Sequence, residues 1–140
     1  MAERYLYLDN AATTPLKSEV LDEMMPFFST EYGNPSSLHK AGREAKIAIE
    51  NARSQTAKAI NAKHEEIYFT GSGTESDNWA VKGAVYSNSD KGKHIITSSV
   101  EHHAVLHTCN YLESEGYEVT YLPVDSDGLV FPNDLKNALR

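Results

Sequence analysis

The sequence predicts an α/β fold, a mostly parallel sheet with flanking helices. Two observations carry that expectation. Beyond residue 65, short apolar runs of strand length alternate with segments whose apolar residues recur every three or four positions, in the order strand, helix, strand, helix, strand. The connections between them are short, which suits crossovers in a parallel sheet. The 140 residues are enough for one domain with a real core and too few to expect two.

Tyr5, Leu6, Tyr7 and Leu8 make a brief extended stretch that the polar run DNAATTP breaks, so residues 1–15 are expected to form an N-terminal arm. From Lys17 to Phe28 the apolar residues Val20, Leu21, Met24, Met25 and Phe28 have helical spacing, with Pro26 predicting a kink or an early stop. GNPSS at 33–37 reads as a loop that ends in a helix cap. Ala45, Ala48, Ile49, Ala52, Ala57 and Ile60 mark one face of a longer helix. Glu66 to Thr70 then reads as a buried strand, and Trp79 to Tyr86 as helical. His94 to Thr97 is a second strand, and Val105, Leu106, Cys109 and Leu112 stripe a helix that Gly116 terminates. Glu118 to Leu122 is a third strand, DSDG a turn, and Pro132 to Leu139 the start of another helix.

Composition narrows the function classes. The chain is 40% hydrophobic and 24% charged with a formal net charge of −7, which favours solubility and argues against a nucleic-acid groove or an anionic membrane surface as partner. No run of like charge reaches five, no window approaches a membrane span, and MAERYLYLDNAATT lacks the apolar core of a signal peptide. The single cysteine, Cys109, excludes an internal disulfide, so a cytoplasmic location is expected.

Ligands of parallel α/β sheets bind beyond the carboxyl ends of the strands, where the chain turns into the next helix. Two such turns carry distinctive chemistry. In TGSGTES, Ser72 and Glu75 have capping-box spacing, which leaves the N–H groups of Gly73 and Thr74 at the positive end of a helix dipole. Gly73 has no side chain to block an approaching anion, and the Thr74 hydroxyl can donate a further hydrogen bond. The loop has no lysine, unlike the triphosphate loop, and Ser76 stands where the dinucleotide fingerprint needs its third glycine. On this loop alone, a phosphate cradle and a plain capped turn both remain open.

The second turn, ITSSVEHHAVLHTC, repeats the capping-box spacing at Ser98 and Glu101 and puts His102 at the top of a helix. A histidine there can lie flat on a planar heteroaromatic ring and keep a nitrogen for proton transfer near neutral pH. His103 and His107 are one helical turn apart, which is also metal-ligand spacing. A third ligand is not evident and HExxH is absent, so the pair reads as solvated and no metal site is expected. Together the phosphate cradle and the ring-stacking histidine describe a site for a flat, phosphorylated cofactor.

These residues, in this order, resemble the cysteine desulfurases, pyridoxal-phosphate (PLP) enzymes of the class V aminotransferase fold. The matching stretches are YLDNAATTP at 7–15, GNPSSLH at 33–39, FTGSGTESDN at 69–78, HIITSSVEHHAVL at 94–106 and EGYEVTYLPVDSDG at 115–128. The resemblance implies that 16–140 form the amino-terminal, incomplete part of the large domain of a PLP-transferase of fold type I. It implies pyridoxal 5'-phosphate as cofactor, its phosphate at Gly73 and Thr74, and His102 stacked on the pyridine ring as a catalytic proton carrier. It also implies substrate-side positions at Asn10, Ala11 and Asn34. TGSGTES departs from the TSGATES of many relatives, but glycine at 73 in place of alanine keeps the backbone donors.

By resemblance, L-cysteine is the substrate and the cofactor serves as an electron sink. A protein thiolate takes the sulfur, L-alanine leaves, and a protein-bound persulfide passes sulfur to an acceptor or scaffold protein for iron–sulfur cluster or thio-cofactor assembly. That chemistry asks for a Schiff-base lysine, a carboxylate at the pyridine nitrogen, a nucleophilic cysteine and an arginine for the substrate carboxylate. In the family all four lie further along a longer chain. Lys82, in WAVKGA, reads as the polar side of a helix, and Cys109 as a buried structural thiol. The 140-residue chain alone is therefore expected to be inactive. The resemblance also places later strands between the first strand and the other two, so uncovered edges are expected to favour a homo-oligomer. Other readings are a related class V enzyme such as a selenocysteine lyase, a non-catalytic phosphate-binding module, and a nucleotide-binding domain, which the absent third glycine weakens.

Overall fold

The computed structural model describes residues 6–140, so Tyr5 and the rest of the first five residues lie outside the described part. The chain divides into two compact units, one running to Tyr68 and one spanning Phe69–Arg140.

In the first unit, residues 6–17 carry no regular element apart from a turn in which the amides of Ala12 and Thr13 donate to the Asp9 carbonyl. Helix α1 spans Ser18–Ser29. Pro26 sits in its last turn, where its missing N–H removes the bond to the carbonyl four residues back, and the helix ends three residues later. The Pro26 carbonyl accepts from the amides of Thr30 and Glu31, both at 2.9 Å, which closes the end. The predicted apolar stripe of α1 lies at the surface, with Phe28 70% exposed.

The following loop is built by Asn34, whose Oδ1 accepts from the Ser36 amide (2.9 Å) and whose carbonyl accepts from the Ser37 amide (3.0 Å). Helix α2 spans Lys40–Ala59. Its cap lies beyond GNPSS, contrary to expectation: His39 Nδ1 accepts from the Gly42 amide. The loop lies too close to the helix start for a side chain, because a Cβ on Gly42 would meet the Ser37 carbonyl oxygen at 2.3 Å. Ala45 and Ala57 of the predicted face are buried. A left-handed Asn61 (φ 55°) ends the helix, and the Ala62 amide returns to the Ala57 carbonyl at 2.8 Å.

The expected strand Glu66–Thr70 is not formed. Glu66 closes a 3₁₀ turn, His64–Glu66, and residues 67–70 run on without pairing to any strand among the described residues. A strand exists only through a ladder to a neighbour, so an apolar run of strand length without one remains plain extended chain. Ile67 is fastened within the first unit instead. Arg53 donates to the Ile67 carbonyl and to Glu50 Oε2, and Glu50 also meets His64 Nε2 at 2.7 Å. Burial pushes the Glu50 carboxyl up, but the Arg53 and His64 hydrogen bonds and charges outweigh it and hold it below its usual value.

In the second unit, helix α3 spans Gly73–Ser87, strand β1 His94–Ser98, helix α4 His103–Ser114, strand β2 Glu118–Leu122 and helix α5 Pro132–Ala138. The two strands pair in parallel, His94 opposite Glu118 through Ser98 opposite Leu122. Helix α4 is the crossover between them and packs against β2 and α3. The core is there: Ala104, Thr108, Cys109 and Leu112 of α4 and Leu122 of β2 are buried. Val105 and Leu106, expected on the core stripe, are only half-buried. Thr108 takes a core place because its hydroxyl donates to the Ala104 carbonyl at 2.8 Å, leaving its methyl to pack. Gly116 (φ +88°) follows the end of α4 as predicted, and Gly128 (φ +80°) completes the DSDG turn, whose Asp125 carboxylate accepts from the amides of Asp127 and Leu129.

Candidate functional site

Helix α3 begins where the TGSGTES turn requires. Ser72 is its cap, with Oγ accepting from the Glu75 amide at 3.2 Å. The return half of the box is shifted by one residue: the Glu75 carboxylate accepts from the Gly71 amide at 2.7 Å. The N–H groups of Gly73 and Thr74 are left without an acceptor among the described residues, at the positive end of the helix dipole. A Cβ placed on Gly73 would meet nothing within 4 Å, so the approach to those amides is open and alanine would fit as well.

The second turn differs from the expected box. Ser98 ends β1, and its hydroxyl donates to the Glu101 carboxylate at 2.9 Å, closing the loop instead of capping the helix. His102 itself caps α4, with Nδ1 accepting from the Ala104 amide at 3.1 Å. A nitrogen that accepts carries no proton, so the neutral ring holds its proton on Nε2. The cap arises because a ring nitrogen two residues before the amide reaches it as well as a serine oxygen would. The position is legible from sequence, but the tautomer is not.

Thr74 and His102 line one cavity of about 310 Å³, together with Asn78 and Lys82 of α3 and His103, His107, Thr108 and Tyr111 of α4. That is at the lower end of the sizes of small-molecule sites. Asn78 and Lys82 were missed as lining residues. Their signal is the i, i+4, i+8 spacing from Thr74, which puts all three on one face of a helix. Lys82 is half-buried, with its ammonium 4.4 Å from the centre of the Tyr111 ring, which fixes it by a cation–π contact in place of the solvated setting expected. Cys109 is 1% exposed, and burial, then the nearby Glu113 and Glu101 charges, push its thiol up against a lowering hydrogen bond from Thr97. It is a structural thiol, as its place on the stripe predicted.

Asn10, Ala11 and Asn34 belong to the first unit. Asn10 and Ala11 are exposed in the turn after Asp9, and Asn34 spends its side-chain oxygen on the Ser36 amide. Among the described residues no cluster of three or more metal-ligating side chains is present, and no helix is long and apolar enough to cross a membrane.

The amides of Gly73 and Thr74 have no acceptor among the described residues, the space beside Gly73 is open, and Thr74 and the His102 imidazole line one cavity. The class of molecule is thus an α/β protein with its polar groups gathered at two helix starts beside a parallel strand pair. Residues 6–140 match the family described as aminotransferase class-V, and the chain belongs to that family.

Its relatives include the cysteine desulfurase IscS of Methanosarcina thermophila, 58% identical over 135 residues, covering 96% of this chain and 33% of the relative. The cysteine desulfurase IscS of Dictyoglomus turgidum is 60% identical over 138 residues, covering 99% and 35%. Among solved structures, a NifS-like protein superposes with a TM-score of 0.86 at 42% identity, covering 93% of this chain and 36% of that one. A structure described as SspA in complex with cysteine gives 0.83 at 41% identity, covering 93% and 38%. The chain thus spans about a third of the length of the curated relatives it matches.

Proposed function

We propose that this chain is the amino-terminal part of a cytoplasmic, PLP-dependent cysteine desulfurase and carries that enzyme's phosphate- and ring-binding groups. On this reading residues 1–15 are the arm and 16–140 the opening part of the large domain. L-cysteine is the substrate, sulfur passes to an acceptor or scaffold protein, and the assembled enzyme is a homo-oligomer. The observation that carries the reading is the shared cavity of Thr74 and His102, each at the start of a helix. Class V membership and the names of the relatives support the choice of cofactor and reaction.

Pyridoxal 5'-phosphate, when bound, supplies an electron sink for the substrate amine's carbon. The chain's own residues act around it. The amides of Gly73 and Thr74 and the Thr74 hydroxyl hold the phosphate dianion, where the α3 dipole adds to their pull. Gly73 keeps the approach clear. His102 would cover one ring face and offer its Nε2 N–H as a hydrogen-bond donor, and it would carry a proton only when Nδ1 releases the Ala104 amide. Asn10, Ala11 and Asn34 lie on the substrate side. The Schiff-base lysine, the nucleophilic cysteine and the substrate-binding arginine are supplied by the part of the relatives' length that this chain does not match.

The test uses pyridoxine 5'-phosphate, which lacks the aldehyde and reacts with no surface lysine. In titration calorimetry it is expected to bind at one site, while pyridoxine without its phosphate binds at least tenfold more weakly, the scale of hydrogen bonds to a charged group of about 1.5–3 kcal/mol. Thr74→Val should weaken the phosphorylated ligand alone. Equal affinity for both ligands, or an indifferent Thr74→Val, overturns the reading. The chain is expected to form no saturable Schiff base with pyridoxal phosphate itself.

A further inference from the structure

His103 and His107 are not used by the proposed cofactor site, yet both line the same cavity of the second unit. They stand one turn apart on the exposed side of α4, with ring centres 5.4 Å apart and planes tilted by 32°. Imidazole nitrogens bind a zinc-like ion at about 2.0–2.1 Å, and the ring centre lies roughly 1 Å further, so two rings sharing a tetrahedral ion are about 5 Å apart between centres. The observed separation of 5.4 Å lies close to that distance. Neither ring has a hydrogen-bond or ion-pair partner among the described residues, so binding an ion costs no existing polar contact. The third nearby imidazole, His102, is 6.2 Å from His103 between ring centres, but its Nδ1 is committed to the Ala104 amide. Lys82, the cation in the cavity, is held on the Tyr111 ring one turn beyond His107.

We propose that His103 and His107 form a two-histidine site for a divalent, borderline-soft metal ion, such as Zn²⁺, Ni²⁺ or Cu²⁺, on the wall of the α3–α4 cavity. Imidazole suits these ions, whereas Mg²⁺ and Ca²⁺ ask for oxygen ligands that this wall does not gather. With two protein ligands the remaining positions go to water, so the ion is exchangeable and the protein imposes little geometry. Affinity then follows the intrinsic order of the divalent ions, Cu²⁺ above Ni²⁺ above Co²⁺. The site does not rest on the proposed function, and the two can fail separately.

Calorimetric titration of the chain with NiCl₂, CuCl₂ and CoCl₂ in phosphate-free buffer tests it. One ion per chain is expected, in that order of affinity. His103→Gln and His107→Gln should each weaken Ni²⁺ binding at least tenfold, while His64→Gln, in the other unit, should leave it unchanged. Both ring positions are exposed, and circular dichroism verifies that the variants keep their helices. Absence of saturable binding, binding that survives the His103→Gln/His107→Gln double variant, or binding lost with His64→Gln overturns the proposal.

Discussion

The Nδ1 atom of His102 holds the start of α4, and the same ring faces the cavity that Thr74 lines, so one side chain has a structural and a proposed chemical task. The tasks can be separated. Asparagine caps helices well but offers no aromatic face. His102→Asn is expected to keep the thermal midpoint near that of the parent chain while weakening pyridoxine 5'-phosphate about threefold to tenfold, the scale of an aromatic stacking contact. A large drop in midpoint with unchanged affinity would reverse the assignment. Tyr121 makes a second residue-scale case. Burial, and then its hydrogen bond to Glu113, push its phenol up to about 12, and its one hydroxyl proton is shared between Glu113 Oε2 at 3.0 Å and Asn110 Oδ1 at 2.7 Å. A folded-state value above the unfolded one, about 10, means that the contribution to stability is complete below pH 10 and is lost as pH rises towards 12. Stability of the parent chain should therefore fall faster than that of Tyr121→Phe across that window in urea titrations, and parallel curves would contradict it.

Helix α4 does most to organise its unit, being the crossover between the two strands and the source of most buried side chains. Leu112 is fully buried there, and truncation leaves a cavity that close packing cannot fill. Leu112→Ala should cost about 2–5 kcal/mol in urea unfolding. Ser72→Ala removes only the cap of α3 and should cost about 1 kcal/mol. Finding the reverse ranking would show that the unit is held by its helix starts and not by its core. At this scale the helices were well legible in the sequence. Their spacing is a local property, and Pro26, Gly116 and Pro132 punctuate them where the backbone chemistry dictates. The caps were less so. Ser98 and Glu101 have the spacing of a box but close a loop, because β1 already claims Ser98 for its ladder.

Across the molecule, large apolar side chains remain at the surface in both units, among them Phe28, Leu38 (91% exposed) and Trp79. Two units of this size bury little, and exposed apolar surface of this extent marks contact regions in folded proteins. Association that depends on concentration is expected in analytical ultracentrifugation, and a monomer that persists at all concentrations would count against it. The absence of a ladder at residues 67–70 belongs to this scale as well. The run has the composition of a buried strand, but pairing is not encoded in the run itself.

Alone, the sequence determined the helix positions, the strand runs His94–Thr97 and Glu118–Leu122 of a mostly parallel sheet, the inert place of Cys109 and the two turns that carry the candidate site. All of these follow from patterns within a few residues of one another, where covalent spacing fixes geometry. Only the tertiary structure decided that His102 caps its own helix through Nδ1, that Lys82 rests on Tyr111, that the rings of His103 and His107 lie 5.4 Å apart, and that residues 67–70 have no strand partner among the described residues. Each of those depends on which groups meet in space, and a hydrogen bond, a ring contact or a strand ladder forms only with the partner that packing delivers.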